Sequence, residues 1–306
     1  MRHLAHRALV VMLAVTFLWL AQGPGHAQSG LKVWPTEVEL TVGRGEAVES
    51  AVNVENQGGE PVRLRTYAMD FSVDRESRYL FSEPGHETYS ASRWLSLDDA
   101  EFELAGGERR EITVGLRVPR EAEPGGHYAA LFIESVPSPS EVGVGISTRI
   151  PCLFYVAISD PDGVAVSADC SIASCILPGI VESGPVDAGV VLRNSGNVHL
   201  TAAAKAYFTD TWGKDSELDL GQVVILPNGE RSLKGSWEDA PFLGRVNANL
   251  VVGYFDEQGQ LVNKSRSAEF WVIPWKLLTG AAAGVIIIVA ASWLVKKRFR
   301  LRIERR

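Results

Sequence analysis

The chain has 306 residues, room for two ordinary domains and further segments. Its net charge of −7 is uneven, because both ends are basic and the part between them is therefore more acidic than the whole. Such a surface repels phosphate backbones and anionic headgroups, which excludes nucleic acid as a partner.

Residues 1–27 are predicted to be a secretory signal peptide. Arg2 and Arg7 give a basic start, Ala8 to Ala21 an apolar run, and Gly25-His26-Ala27 a small-x-small cleavage site. The other reading is an uncleaved anchor, for which the run is short.

Residues 28–159 are predicted to form the first of two antiparallel β-sandwiches, an all-β fold. "VESAVNVENQG" (Val48 to Gly58) places Val48, Ser50, Val52 and Val54 on one side and then reaches an Asn-x-Gly turn. "VRLRTYAMDF" sets Val62, Leu64, Thr66, Ala68 and Asp70 together, and Ile112, Val114, Leu116 and Val118 share a face further on. In "PGGHYAALFIESV", Tyr128, Ala130, Phe132 and Glu134 alternate with Ala129, Leu131 and Ile133. Short strands at roughly ten-residue spacing, with no amphipathic helix, imply a sandwich.

From Val142 to Ile158 the even positions are apolar except Thr148. Val142, Val144 and Ile146, with Arg149 nearby, are candidates for an edge that accepts a partner's strand, since Pro151 cannot donate to a ladder. The same three apolar residues could instead fill the domain's own core. Cys152, on that apolar face, is read as a buried small hydrophobe.

Residues 160–168 are the expected linker, short enough to restrict a hinge. Residues 169–274 are the second sandwich, and they repeat the first. "VDAGVVLRNSG" (Val186 to Gly196) returns the outline of the Val48 strand, and "LAGGER" (Leu104 to Arg109) reappears as "LPNGER" (Leu226 to Arg231). Cys170 and Cys175 in "CSIASC" are a candidate disulfide if the chain doubles back there, although spacing alone leaves two free thiols equally open. Trp94, Trp237 and Trp271 are either sandwich core or aromatic docking groups.

Residues 275–295 are predicted to cross a membrane: Leu277 to Val295 carry no charge, with Trp275 and Trp293 at the interfaces. The tail 296–306 opens with Lys296, Lys297 and Arg298. By the positive-inside rule it lies in the cytoplasm, against anionic inner-leaflet lipid, with all that precedes Leu277 outside, in a periplasm or at a cell surface.

Three stretches carry a family likeness. "VELTVGRGEAVESAVNVENQGGEPVRLRTYAMD", "FELAGGERREITVGLRVP" and "PGGHYAALFIE" resemble the N-terminal immunoglobulin-like domain of bacterial pilus chaperones, and also the surface proteins called WxL-interacting proteins. "GISTRIPCLFYVAI" (Gly145 to Ile158) is similar to the last strand of a pilus chaperone's first domain. The order of signal peptide, two sandwiches, span and basic tail resembles the WxL-interacting family. The chaperone resemblance implies a strand lent to a pilin subunit and two basic residues that hold its terminal carboxylate. Here those places fall near Thr36-Glu37 and Pro151-Cys152, where Glu37 would repel a carboxylate and Arg149 is the nearest cation.

No catalytic constellation is legible and no cofactor is expected. His86, His127 and His199 are isolated, "DPDG" lacks the acidic residue that closes a calcium loop, and no nucleophile elbow or phosphate cradle occurs. The expectation is a non-enzymatic, membrane-anchored envelope scaffold whose domains engage a surface protein or peptidoglycan. The alternative is a tethered chaperone that lends an edge strand to an exported subunit; an envelope hydrolase is disfavoured by the missing constellation.

Overall fold

A computed structural model describes residues 30–137, 147–159 and 166–298. The expected signal peptide, the linker as far as residue 165, Val142, Val144 and Ile146, and the tail beyond Arg298 lie outside them.

The first sandwich packs two sheets. One runs β1 (Leu31–Trp34), β3 (Ala47–Asn56), β8 (Arg109–Arg117), β6 (Leu95–Leu97). The other runs β2 (Glu37–Gly43), β10 (Arg149–Ser159), β9 (Gly125–Val136), β4 (Val62–Val73), β5 (Tyr79–Ser82), with β7 (Glu101–Leu104) also on β4. The chain changes sheets between β1 and β2: β1 pairs antiparallel with β3, whereas β2 runs parallel to β10. Alternation puts Val52, Val54, Ile112, Val114, Leu131 and Phe154 into the core between the sheets.

The second sandwich repeats the plan. Its sheets are β11 (Cys170–Ile176), β13 (Val186–Asn194), β16 (Glu230–Trp237) and β12 (Ile180–Val181), β18 (Leu261–Val272), β17 (Gly244–Phe255), β14 (Leu200–Asp210), β15 (Asp215–Ile225). Again the first strand crosses over, with β11 antiparallel to β13 and β12 parallel to β18. In β14 the small residues Ala202, Ala204 and Ala206 and the bulky Phe208 all face inward, and Phe208 stacks on Trp237 with ring centroids 4.1 Å apart. Trp237 is thus core, and Trp94 packs half-buried against the first core, while Trp271 is 49% exposed.

The candidate disulfide is corrected here. Cys170 and Cys175 lie on one strand, opposite Asn194 and Val190 of β13, and all three cysteines are free. An extended strand advances roughly 3.3 Å per residue, so five residues along β11 hold the two sulfurs far beyond bonding reach.

After β18 only Ile273 and Pro274 precede helix α1 (Trp275–Arg298). Its 24 residues are long and apolar enough to cross a membrane and none is buried, so it offers hydrocarbon on every side. It runs three residues past the expected end at 295. Lys276 lies over the Trp275 ring at 5.5 Å and Lys297 over the Trp293 ring at 5.0 Å, while Lys296, Lys297 and Arg298 form the last turn.

Candidate functional site

Sequence alternation gives β9 one inward face, yet both its faces are buried. Ala129, Leu131 and Ile133 enter the core of the first sandwich, while Tyr128, Ala130 and Phe132 join Phe71, Leu153 and Tyr155 in a second cluster on the outside of the sheet. The outer cluster is aromatic and mutually oriented: Phe81 meets Phe132 edge-on at 4.8 Å, Tyr67 stacks on Phe132 at 5.5 Å, and Phe71 meets Tyr155 edge-on at 5.9 Å.

The second sandwich covers part of this cluster. His199 lies 4.7 Å from Tyr155 and 5.8 Å from Tyr128 between ring centroids, and Val224 and Leu226 pack beside them. Backbone bonds tie the two sandwiches directly, Gly126 N–H to Asn197 O at 2.7 Å and Ser232 N–H to Arg75 O at 2.9 Å. Asn228 Nδ2 donates to the Tyr89 hydroxyl at 2.8 Å. On the linker side, Ser167 N–H donates to Asn197 Oδ1 at 2.7 Å. Arg231, 1% exposed, sends Nη1 to Val73 O at 2.7 Å, while its Nε and Nη2 have no partner. Burial lowers the pKa of Arg231 and pushes His199 below its usual 6.5, so this joint is held by a neutral imidazole and a costly buried cation.

Beyond the covered part, Thr36, Glu37, Tyr79, Phe81, Pro151 and Leu153 line an open, mainly apolar cleft of about 370 Å³. One wall is the start of β10. β2 pairs β10 only from Leu153 to Ser159, so among the described residues Arg149 to Cys152 have β9 on one side and no strand on the other. Leu153 N–H donates to Thr36 O at 2.8 Å, which fixes the odd positions of β10 as those whose backbone points to the β2 side. The free edge therefore offers the N–H and C=O of Arg149 and the C=O of Pro151. Proline withholds the remaining donor, which blunts the edge without closing it.

Arg149 sits at this edge with its guanidinium over Phe132 at 5.1 Å. Glu37 pairs with Leu153 in the parallel register, so an acidic and an apolar residue flank the cleft. Glu134, on the next strand, is held below the usual carboxylate range by hydrogen bonds from Arg65, at 2.8 Å, and Tyr67.

Of the residues singled out from sequence, Arg149 is at the cleft and the interface pairs are on α1. Tyr79, Phe81 and Arg231 were not singled out, and His199 was read only as an isolated histidine. "LPNGER" located Arg231 without its surroundings, and β5, which supplies Tyr79 and Phe81, carries no strong alternation. Among the described residues no group of three or more His, Cys, Asp or Glu side chains could hold a metal ion.

No protein-family model and no curated protein matches the chain. Several solved structures are similar to it. They include the YadV chaperone (10% identity, 78% of this chain and 99% of that one, TM-score 0.42) and the class 5 fimbriae chaperone CfaA (12% identity, 80% and 100%, TM-score 0.41). The Pseudomonas aeruginosa CupB2 chaperone is also similar (11% identity, 77% and 99%, TM-score 0.40).

Proposed function

We propose that the chain is a membrane-anchored, extracytoplasmic binding protein whose cleft receives an extended segment of a surface or exported protein. The observation that carries the reading is the unpaired start of β10, Arg149 to Cys152, beside the apolar cleft. An extended peptide laid on that edge would gain main-chain hydrogen bonds from Arg149 and Pro151. Its alternate side chains would drop toward Tyr79 and Phe81. The acidic Glu37 at the cleft disfavours a free carboxylate there and favours an internal segment of the partner.

The anchor supports a partner held at the membrane, since a helix of this length does not leave a bilayer readily. Temporary custody of an exported subunit is the second reading. The free edge favours it, because an unpaired strand edge can be supplied to any chain that lacks a strand.

The test is a photo-crosslinking residue placed at Tyr79 in the full-length protein in intact cells, with one at Leu261 as control. A discrete envelope protein crosslinked from position 79 and not from 261, and lost on adding an Arg149→Pro change, supports the reading. Equal yields at both positions, or none at 79, refute it.

A further inference from the structure

We infer that the end of the second sandwich from which α1 emerges is itself a lipid-docking surface, seated in the interfacial zone of the leaflet that the helix enters. The inference rests on α1 being a membrane span. Register brings four segments together at this end. Gly244, the first residue of β17, pairs with Val272, and Ile180 of β12 pairs with Trp271. Asp210 at the end of β14 pairs with Val246, so the turn carrying Trp212 lies alongside, with Thr211 Oγ1 accepting from Arg245 N–H at 2.8 Å. Phe242 and Leu243 lead directly into Gly244.

Each of these segments exposes a large apolar side chain. Ile180 is 65% exposed, Trp212 67%, Phe242 69%, Leu243 41% and Trp271 49%. Trp212 is held at the tip of a rigid turn, because Asp210 Oδ1 accepts from the N–H groups of both Trp212 and Lys214, at 2.8 and 2.9 Å. Nearby charges are largely paired, Glu182 with Lys276 at 2.6 Å and Asp239 with Lys214 at 3.9 Å. An indole and a phenyl ring presented among paired charges match the headgroup level of a bilayer, where aromatic side chains collect.

Continuity with the helix supplies the partner. Ile273 N–H donates to Val181 O at 2.8 Å, so the chain stays attached to the sandwich until one residue before Pro274. Two extended residues reach about 7 Å at most, which leaves no slack to lift the domain clear of the surface α1 enters. Phe255 and Leu261 are also exposed, but they pair with each other at the opposite end of β17 and β18. Eleven residues of strand place them about 36 Å away. Asn197 and Asn228, which bond the first sandwich, leave β13 and β15 at that same far end. Docking would thus hold the second sandwich upright and the cleft a full domain's height above the lipid.

The experiment uses the full-length protein in phosphatidylcholine nanodiscs. Nitroxide labels are placed singly by Phe242→Cys, Trp212→Cys, Leu261→Cys and Val289→Cys, each in a Cys175→Ser background, since Cys152 and Cys170 are buried. Collision rates with oxygen and with a water-soluble nickel chelate are read at each site. The expected result is oxygen exceeding nickel at 289, a shift toward oxygen at 242 and 212, and nickel dominance at 261. Labels at 242 and 212 that behave like the one at 261, with 289 in lipid, overturn the docking while the span stands. Nickel access at 289 overturns the span and the docking together.

Discussion

Asn56 and Asn194, one in each sandwich, are buried at the ends of β3 and β13 and share three matching hydrogen bonds, to which Asn56 adds one to Ala105 O at 3.2 Å. Asn56 Oδ1 accepts from Gly58 N–H at 2.9 Å, and its Nδ2 donates to Glu60 O at 2.8 Å and Leu104 O at 3.1 Å. Asn194 Oδ1 accepts from Gly196 N–H at 2.8 Å, and its Nδ2 donates to Val198 O at 2.7 Å and Ile225 O at 2.9 Å. Each amide therefore closes its own turn and clamps the distant strand end that precedes the repeated Gly-Glu-Arg segment. This is why an Asn-x-Gly outline recurs: only a short amide can close the turn and still donate to two carbonyls.

Removing either clamp leaves buried carbonyls unsatisfied. Asn56→Ala and Asn194→Ala should each cost about 2 kcal/mol in urea unfolding. They share no partner, so the double variant should lose close to the sum.

Asp70 faces the core from β4 and is fully buried. Burial by itself would raise its pKa, but hydrogen bonds from the Ser90 and Ser92 hydroxyls and the Glu87 and His86 N–H groups outweigh it, leaving the pKa below 3.8. A depressed folded pKa contributes stability that is complete above the unfolded value and is lost as pH falls through the folded one. Asp70→Asn should therefore lower the melting temperature at neutral pH, by about 1–3 kcal/mol of stability for the stranded donors. The gap between variant and wild type should narrow as the pH falls from the unfolded value of 3.8 through the lower folded one.

Arg231→Met keeps the side-chain volume and removes a buried cation that has two unpartnered nitrogens. Its unfolding free energy should stay within about 1 kcal/mol of wild type. The bond to Val73 O is lost, so the two sandwiches should separate more readily. Faster proteolysis between residues 160 and 168, together with a larger radius of gyration, is the expected signature.

Burial pushes the thiol pKa of Cys152 up to about 12 and of Cys170 to about 11, and it also raises that of Cys175, which is only half-buried. Native protein treated with iodoacetamide at neutral pH should carry label at Cys175 alone, and all three should react after denaturation. Peptide mapping reads both states, and three reactive thiols without prior reduction would confirm that β11 holds Cys170 and Cys175 apart.

Alternation along β3, β4, β8 and β13 is a local period, and it was legible because every second side chain meets the same core. α1 was legible for a similar reason: its length and lack of charge answer to a solvent and need no partner in the fold. The edge of β10 was half legible, through Pro151 and Arg149, but its cleft was not, because Tyr79 and Phe81 arrive from β5 across the sheet. The motif match of "LAGGER" with "LPNGER" aligns Arg231 with Arg109. Pairing register instead sets Arg231 opposite Leu192 and Arg110 opposite Val54, so Arg231 corresponds to Arg110. A one-residue shift turns a side chain to the other face. Asp70, Arg231 and the outer face of β9 were decided only in three dimensions. A residue's own period states which way it points, and only the distant elements packed over it determine whether water, a hydroxyl cage or a second sandwich is waiting there.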